Sequence, residues 1–329
     1  MKENTSIKEI FDKLKSSKRI LIALHRGPDG DSLGCCTAMK YVLENNFGLN
    51  VKVISADNLD RMLKEFSEEV VFDCKIEEID LSFFDALITL DFGSLKGFTS
   101  LDVEEIKKKI FLMNIDHHIS NEYFGDLNYV DPVKPSCCNV LFDMFKELDI
   151  DFDSELSTRL LLGIYTDTGG FVYDDGRSLK EAVFLIDRGA NYKQIVENIK
   201  FNFPLQLMRY DALLVDNFEL LKINNFNCGC SVVSKEEIEK LNLNLSEIRG
   251  GINHLQKIGG IDFLFTLVEM EDKIKGSFRS RNVDISLFAK ALGGGGHKAA
   301  ASFVLEKMPL DEAKQKVLEV IDKVGVCKI

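Results

Sequence analysis

Four short stretches of this chain concentrate residue types that bind metals. His25 is followed by Asp29 and Asp31 in His25-Arg-Gly-Pro-Asp-Gly-Asp-Ser, and Asp91 ends the apolar run Ala86-Leu-Ile-Thr-Leu90. Asp116-His117-His118 closes a second apolar run, and Asp167 follows Leu160-Leu-Leu-Gly-Ile-Tyr-Thr. One imidazole and two carboxylates in a loop offer mixed nitrogen and oxygen ligands, which suit Mn²⁺, Zn²⁺ or Fe²⁺ better than Mg²⁺ or Ca²⁺. Taken alone, Pro-Asp-Gly-Asp reads more simply as a turn, because these are the usual turn residues. A carboxylate at the end of a buried strand, as at Asp91, is costly unless paired or metal-bound. Its plainer role is a cap or turn residue before Gly93.

Asp116-His117-His118 carries more. Neighbouring side chains on a strand point to opposite faces, so the two imidazoles can serve as one metal ligand and one group for a substrate phosphate. Asp116 would orient an imidazole from behind; the alternative is a chance polar loop. Asp167 sits at a helix C-terminus, where a negative charge is unfavourable without compensation. A metal would compensate it, although Gly169 also reads as an ordinary helix terminator.

A second group lies towards the C-terminus. Arg279 and Arg281 flank Ser280, a pattern suited to forked recognition of phosphate. In Gly293-Gly-Gly-Gly-His297-Lys298, glycines such as Gly295 and Gly296 let backbone N–H groups approach an anion, and His297 and Lys298 add donors. The plainer alternative is a flexible loop beside a solvated strand. His254 has no motif partner and reads as a surface or packing residue; Gly250-Gly251 before it alternatively mark a loop near the substrate.

The elements that must position these residues follow from periodicity. Residues 5–17 and 33–46 read as helices, the second capped by Ser32, and 18–24, 50–55, 85–90 and 109–115 as short buried strands. Strands separated by helices predict an α/β fold, a parallel sheet with helices on both faces. Ligands bind at the carboxyl ends of such strands, and three of the four end in metal-binding residue types. One cleft is expected. Helices are expected at 137–148, 154–166, 179–188, 193–200 and 204–221, the last a connector with Pro204 in its first turn. Beyond it, strands at 226–233, 262–269 and 273–280, with helices near 235–241, 245–257, 285–291 and 310–323, predict a smaller α/β domain. The expected organisation is a catalytic domain over 1–200, a linker helix over 201–222 and a substrate-binding domain over 223–329.

Composition narrows the function. With 41 Lys+Arg against 53 Asp+Glu, the net charge of -12 disfavours a grip on long or duplex nucleic acid, which needs a basic surface. A small anionic substrate held by a few cations or metals is compatible with it. No apolar run approaches the ~20 residues that span a bilayer, and the N-terminus lacks an apolar signal core. A cytoplasmic protein without membrane contact is expected. The eight cysteines then read as reduced, mostly buried thiols, with Cys35 and Cys36 packing in the core.

Together, His25-Arg-Gly-Pro-Asp-Gly-Asp-Ser-Leu-Gly34, Leu90-Asp91-Phe-Gly, Ile115-Asp116-His117-His118 and Tyr165-Thr166-Asp167-Thr-Gly resemble the four ordered motifs of the DHH phosphoesterase superfamily. Gly276-Ser-Phe-Arg-Ser-Arg281 and Gly293-Gly-Gly-Gly-His-Lys-Ala-Ala300 resemble its DHH-associated C-terminal domain. The resemblance spans nearly the whole chain and is greatest to the bacterial oligoribonuclease (nanoRNase) and pAp-phosphatase branch. It implies one Mn²⁺ on His25, Asp29 and Asp91, and a second on Asp31, Asp91, His117 and Asp167, with Asp91 bridging. His118, beside Asp116, would contact the scissile phosphate or its leaving oxygen. Arg279, Ser280 and His297, with Arg281, Gly295, Gly296 and Lys298 around them, would hold the substrate's phosphate or terminal nucleotide.

The implied activity is Mn²⁺-dependent hydrolysis of short RNA to mononucleotides, with removal of the 3′-phosphate from pAp, by a homodimer. Cleavage of cyclic di-AMP or of linear dinucleotides such as pApA is the nearest alternative. An inorganic pyrophosphatase is disfavoured by the Gly293–His297 loop, and a non-catalytic nucleotide-binding regulator by the complete set of ligand positions. Three residues depart from the family pattern near the site: Gly27, Cys137 and Asn139.

Overall fold

Short apolar runs between polar turns become parallel strands. The computed structural model describes residues 3–96, 98–174, 176–202, 204–243, 248, 252–296 and 298–325. The chain divides into two units, Met1–Asn202 and Phe203–Ile329. In the first, α1 (Ile7–Lys15) leads to β1 (Arg19–Ala23), α2 (Gly30–Phe47), β2 (Asn50–Ile54), β3 (Val70–Val71) and β4 (Ala86–Leu90). There follow α3 (Val103–Lys107), β5 (Phe111–Asp116) and β6 (Leu127–Val130), then α4 (Cys137–Glu147), α5 (Ser154–Asp167), α6 (Leu179–Asp187) and α7 (Tyr192–Val196).

The strands pair in parallel in the order β3-β2-β1-β4-β5-β6. Chain progression reverses between β1 and β4, which leaves a crevice outside their carboxyl ends. Ile20 and Ile22 join the core shared with α1, α2, α4 and α5, whereas Leu21 and Ala23 join the one shared with α3. Burial on both faces is why these strands read as unbroken apolar runs. Of the strands described in this unit, β3 and β6 escaped the sequence reading; two and four residues are too few to show a period.

Two helices aim their ends at the crevice. Asp31 lies in the first turn of α2 and Asp167 ends α5. They pack closely because glycines face the contact: a Cβ at Gly34 would meet the Arg159 carbonyl oxygen at 2.6 Å, and one at Gly163 would meet Asp31 Oδ1 at 2.5 Å.

The second unit contains α8 (Leu205–Asp216), β7 (Phe218–Ile223), β8 (Phe226–Val233), α9 (Lys235–Glu239), α10 (Ile252–Leu255), β9 (Phe263–Glu269) and β10 (Lys273–Ser280). It closes with α11 (Ser286–Ala291), β11 (Gly295–Gly296), β12 (Ala300–Glu306) and α12 (Leu310–Val324). The sheet order is β11-β12-β10-β9-β8-β7, antiparallel except between β8 and β9. Phe288, Val317 and Ile321 of α11 and α12 cover one face, and Tyr210, Leu214 and Ile238 of α8 and α9 pack on the other.

The expectation of one linking helix over 201–222 is corrected here. The helix stops at Asp216 and the chain turns into β7, which forms a hairpin with β8 through Asn224 (φ 54°) and Asn225. Pairing with β8 outweighs the helical periodicity of this segment. The helix expected over 193–200 is α7 followed by a wider turn over Glu197–Phe201. Of the helix expected over 245–257, only α10 is described as such, and Gly250 and Gly251 lie outside the described residues. Among the described residues, no helix is long and apolar enough to cross a membrane.

Candidate metal centre

The crevice gathers the predicted ligands of the first unit from five elements. His25 follows β1, Asp29 caps α2, Asp91 follows β4, Asp116 ends β5 with His117 and His118 beyond it, and Asp167 ends α5. Three overlapping groups are close enough to hold an ion: His25, Asp29 and Asp91; Asp31, His117 and Asp167; and Asp91 with Asp116, His117 and His118. In each, the available ligand atoms lie within 4.8 Å of one another.

Asp91 is the centre. It is 5% exposed and takes a left-handed backbone, φ 65°, unusual for a residue with a side chain. Its Oδ1 is buried without a hydrogen bond, with His117 Nε2 at 3.3 Å and His118 Nδ1 at 3.6 Å; its Oδ2 lies 3.4 Å from His25 Nε2.

The two imidazoles are fixed from behind. His25 Nδ1 lies 3.0 Å from the Arg26 carbonyl and His117 Nδ1 3.3 Å from that of Lys134. A carbonyl only accepts, so each Nδ1 carries the proton and each Nε2 faces carboxylate oxygens. A bare Nε2 lone pair against a carboxylate requires a proton or a cation between them. In the metal-free protein it is a proton: against the opposing effect of burial, Asp29 and Asp91 raise His25 well above its ordinary value, and Asp91 brings His117 up to about 10. Asp91 is held well below the carboxylate range, since His117 and His25 outweigh its burial. Burial and the neighbouring Asp91 push Asp31 up to about 7, and burial with Asp31 and Asp91 pushes Asp167 well up. An acidic cluster that is buried at Asp31 and Asp91 and open at Asp29 and Asp167 fits divalent cations well.

Asp31 has its own support. Its Oδ2 accepts the Cys137 N–H at 2.6 Å and its Oδ1 the Cys138 N–H at 3.0 Å, at the start of α4. His118 differs from the other imidazoles: its Nδ1 pairs with Asp116 Oδ1 at 2.7 Å, and burial, which would lower its proton affinity, is outweighed by Asp116. Asp116 Oδ2 accepts from Asn121 at 2.6 Å. Asn121 also donates to Asn114 Oδ1, and Asn114 to Thr89 Oγ1. This buried chain under the site was not anticipated. Asn114, a polar residue inside the strand Phe-Leu-Met-Asn-Ile-Asp, was the available signal.

The departures have local explanations. Gly27 adopts φ 60° and donates its N–H to Asp57 Oδ2, so the turn itself favours glycine. Cys137 supplies a backbone donor to Asp31, while Asn139 bonds Glu181, Ser178 and Ser136 in a buried network.

In the second unit, Arg279, Gly295 and Gly296 line a cavity of about 360 Å³ together with Lys275, Ser277 and Ser302. Ser280 is buried, its hydroxyl accepting from Val283 N–H and donating to the Asp262 carbonyl, and it does not line this cavity. Arg281 donates to the Gln256 carbonyl, and Lys298 is exposed with its carbonyl bonded to Ile285 N–H. His297 lies outside the described residues. His254 pairs with Asp211 at 2.5 Å.

Comparison with known proteins matches a separate domain to each unit. Residues 19–164 match the DHH family, N-terminal domain, and residues 230–324 match the DHHA1 domain. The chain carries a DHH N-terminal domain and a DHHA1 domain. Its DHH domain marks it as a phosphoesterase, and the DHH family depends on metal ions. The chain is 28% identical to the bifunctional oligoribonuclease and PAP phosphatase NrnA of Thermus thermophilus, over 92% of this chain and 89% of the relative. It is 26% identical to the Bacillus subtilis protein of the same name, over 74% of this chain and 82% of that one. Its fold is that of an exopolyphosphatase-related protein from Bacteroides fragilis, at 23% identity and a TM-score of 0.86, covering 97% of this chain and 96% of the other.

Proposed function

We propose that this protein is a Mn²⁺-dependent hydrolase of very short oligoribonucleotides that also removes the 3′-phosphate from pAp. The observation that carries the metal reading is Asp91, with an unsatisfied buried oxygen and two imidazole Nε2 atoms turned towards its carboxylate. His25, Asp29 and Asp91 would hold one ion, and Asp31, Asp91, His117 and Asp167 the other. Divalent ions at such a site neutralise phosphoryl oxygens and supply a water nucleophile at neutral pH.

The chain's own groups do the rest. Asp116 keeps the His118 Nδ1 proton and favours the imidazolium, so His118 can protonate the leaving oxygen. In the second unit, Arg279, Gly295 and Gly296 would offer contacts to an anion. The names of the Thermus and Bacillus relatives support oligoribonucleotides and pAp as substrates. A net charge of -12 favours short substrates held by placed cations over long ones held by a basic surface. The test is turnover with Mn²⁺ of a labelled dinucleotide, pentanucleotide, 24-mer, pAp and cyclic di-AMP. Fast cleavage of the di- and pentanucleotide and of pAp, with the 24-mer spared, is expected. Preference for cyclic di-AMP, or inactivity on all five, would overturn the reading.

A further inference from the structure

Asp31 and His117, two residues assigned to the second ion, are both held by backbone groups between the end of β6 and the first turn of α4. The Lys134 carbonyl lies 3.3 Å from His117 Nδ1, and the Cys137 and Cys138 N–H groups donate to the Asp31 carboxylate. Pro132 and Val133 of this segment are exposed, so its position depends on contacts made elsewhere. Those contacts converge on α6. Glu181 Oε1 accepts from Lys134 Nζ at 3.1 Å, and Glu181 Oε2 accepts from Asn139 Nδ2. Asn139 is fully buried in the first turn of α4. Its Oδ1 accepts from the hydroxyl of Ser136, which caps this helix, and its N–H donates back to Ser136 Oγ at 3.1 Å. A single carboxylate, 20% exposed, therefore fastens both the residue whose carbonyl orients His117 and the helix end that holds Asp31.

The first ion's ligands have different supports. His25 Nδ1 faces the Arg26 carbonyl, and Asp29 accepts from the N–H groups of Asp31 and Ser32, all in the turn from β1 into α2. We propose that Glu181 is a positioning residue for the second ion alone, acting on His117 through Lys134 and on Asp31 through Asn139 and Ser136. Without it, Lys134 keeps only the half-exposed Asp143, and the buried Asn139 amide keeps only the Ser178 hydroxyl at 3.3 Å. A buried amide that loses an acceptor costs more than the bond itself was worth, so this corner would rearrange. Groups that orient a metal ligand from behind are worth about 10- to 100-fold in metal affinity. The proposal rests on the reading of the crevice as a two-ion centre, and it is measured without hydrolysis.

The experiment is calorimetric titration of the metal-stripped full chain with Mn²⁺, for wild type, Glu181→Ala, Glu181→Gln and Lys134→Met. Glu181→Ala is also placed in an Asp167→Asn background, where the first ion alone is expected. Circular dichroism verifies that each variant is folded. Wild type should take up two ions. Glu181→Ala should keep one at wild-type affinity and bind the other about 10- to 100-fold more weakly. Glu181→Gln, which keeps the shape and one acceptor oxygen, should recover most of that loss. Lys134→Met breaks the same pair from its other side and should show the same selectivity, so it decides the matter if Glu181→Ala does not fold. In the Asp167→Asn background, Glu181→Ala should leave the remaining ion unchanged. Tight uptake of both ions by Glu181→Ala, equal weakening of both, or a further loss in the Asp167→Asn background overturns the proposal and leaves the two-ion centre standing. No uptake by wild type removes the two-ion reading, and the proposal with it.

Discussion

Asp91 combines a left-handed backbone, near-complete burial and a side-chain oxygen without a hydrogen bond. Strain of this kind costs on the order of 1–3 kcal/mol and persists where the surroundings and a function hold it in place. Its neighbours divide by chemistry: His25 and His117 turn Nε2 towards it, whereas His118 is bound through Nδ1 to Asp116. Asp116→Asn should therefore lower kcat by about 10²- to 10⁴-fold, the range of lost general acid–base catalysis, with Mn²⁺ affinity retained. The pH profile gives the sign. Asp116 raises His118, and a general acid works while protonated, so its loss should move the alkaline limb of the kcat profile to lower pH. A profile that falls in height without moving would contradict the assigned role. The candidate residues stood out in the sequence because buried strand ends and helix C-termini rarely carry bare carboxylates. The Asn114–Asn121–Asp116 chain was not, because a polar residue within a strand does not reveal its partner.

At the scale of elements, the site depends on how closely α2 and α5 approach. Gly163 permits that approach: an added Cβ would fall 2.5 Å from Asp31 Oδ1 and 2.3 Å from Cys138 Sγ. Gly163→Ala should displace Asp31 from the Cys137 and Cys138 N–H groups, weakening Mn²⁺ binding and lowering stability by about 1–3 kcal/mol, the usual cost of overpacking. Calorimetry and urea unfolding measure the two effects, and wild-type values for both would show that the contact yields. The central strands were readable from their double-sided burial. β7 was not, since its residues also fit a helix and only pairing with β8 decides between them. A two-residue Asn224-Asn225 connection was the overlooked sign.

For the whole molecule, net charge and site chemistry have to be reconciled. A chain of charge -12 carries a half-buried carboxylate cluster in its first unit and places Lys275 and Arg279 along one strand in its second. Such a distribution suits an anionic substrate only if cations enter the carboxylate cluster. The metal ions are therefore the central claim. The most direct test is titration of metal-stripped protein with Mn²⁺ near pH 7, in two buffers of different ionisation enthalpy, for wild type and Asp91→Asn. Asn is chosen because it keeps the shape of Asp and tolerates φ above zero. Two ions per wild-type chain are expected, with protons released, because His117, raised to about 10, and Asp31, raised to about 7, hold protons until metal displaces them. Tight uptake should be lost in Asp91→Asn. No uptake by wild type, or full uptake by Asp91→Asn, would contradict the assignment of Asp91 as the residue on which the centre is built.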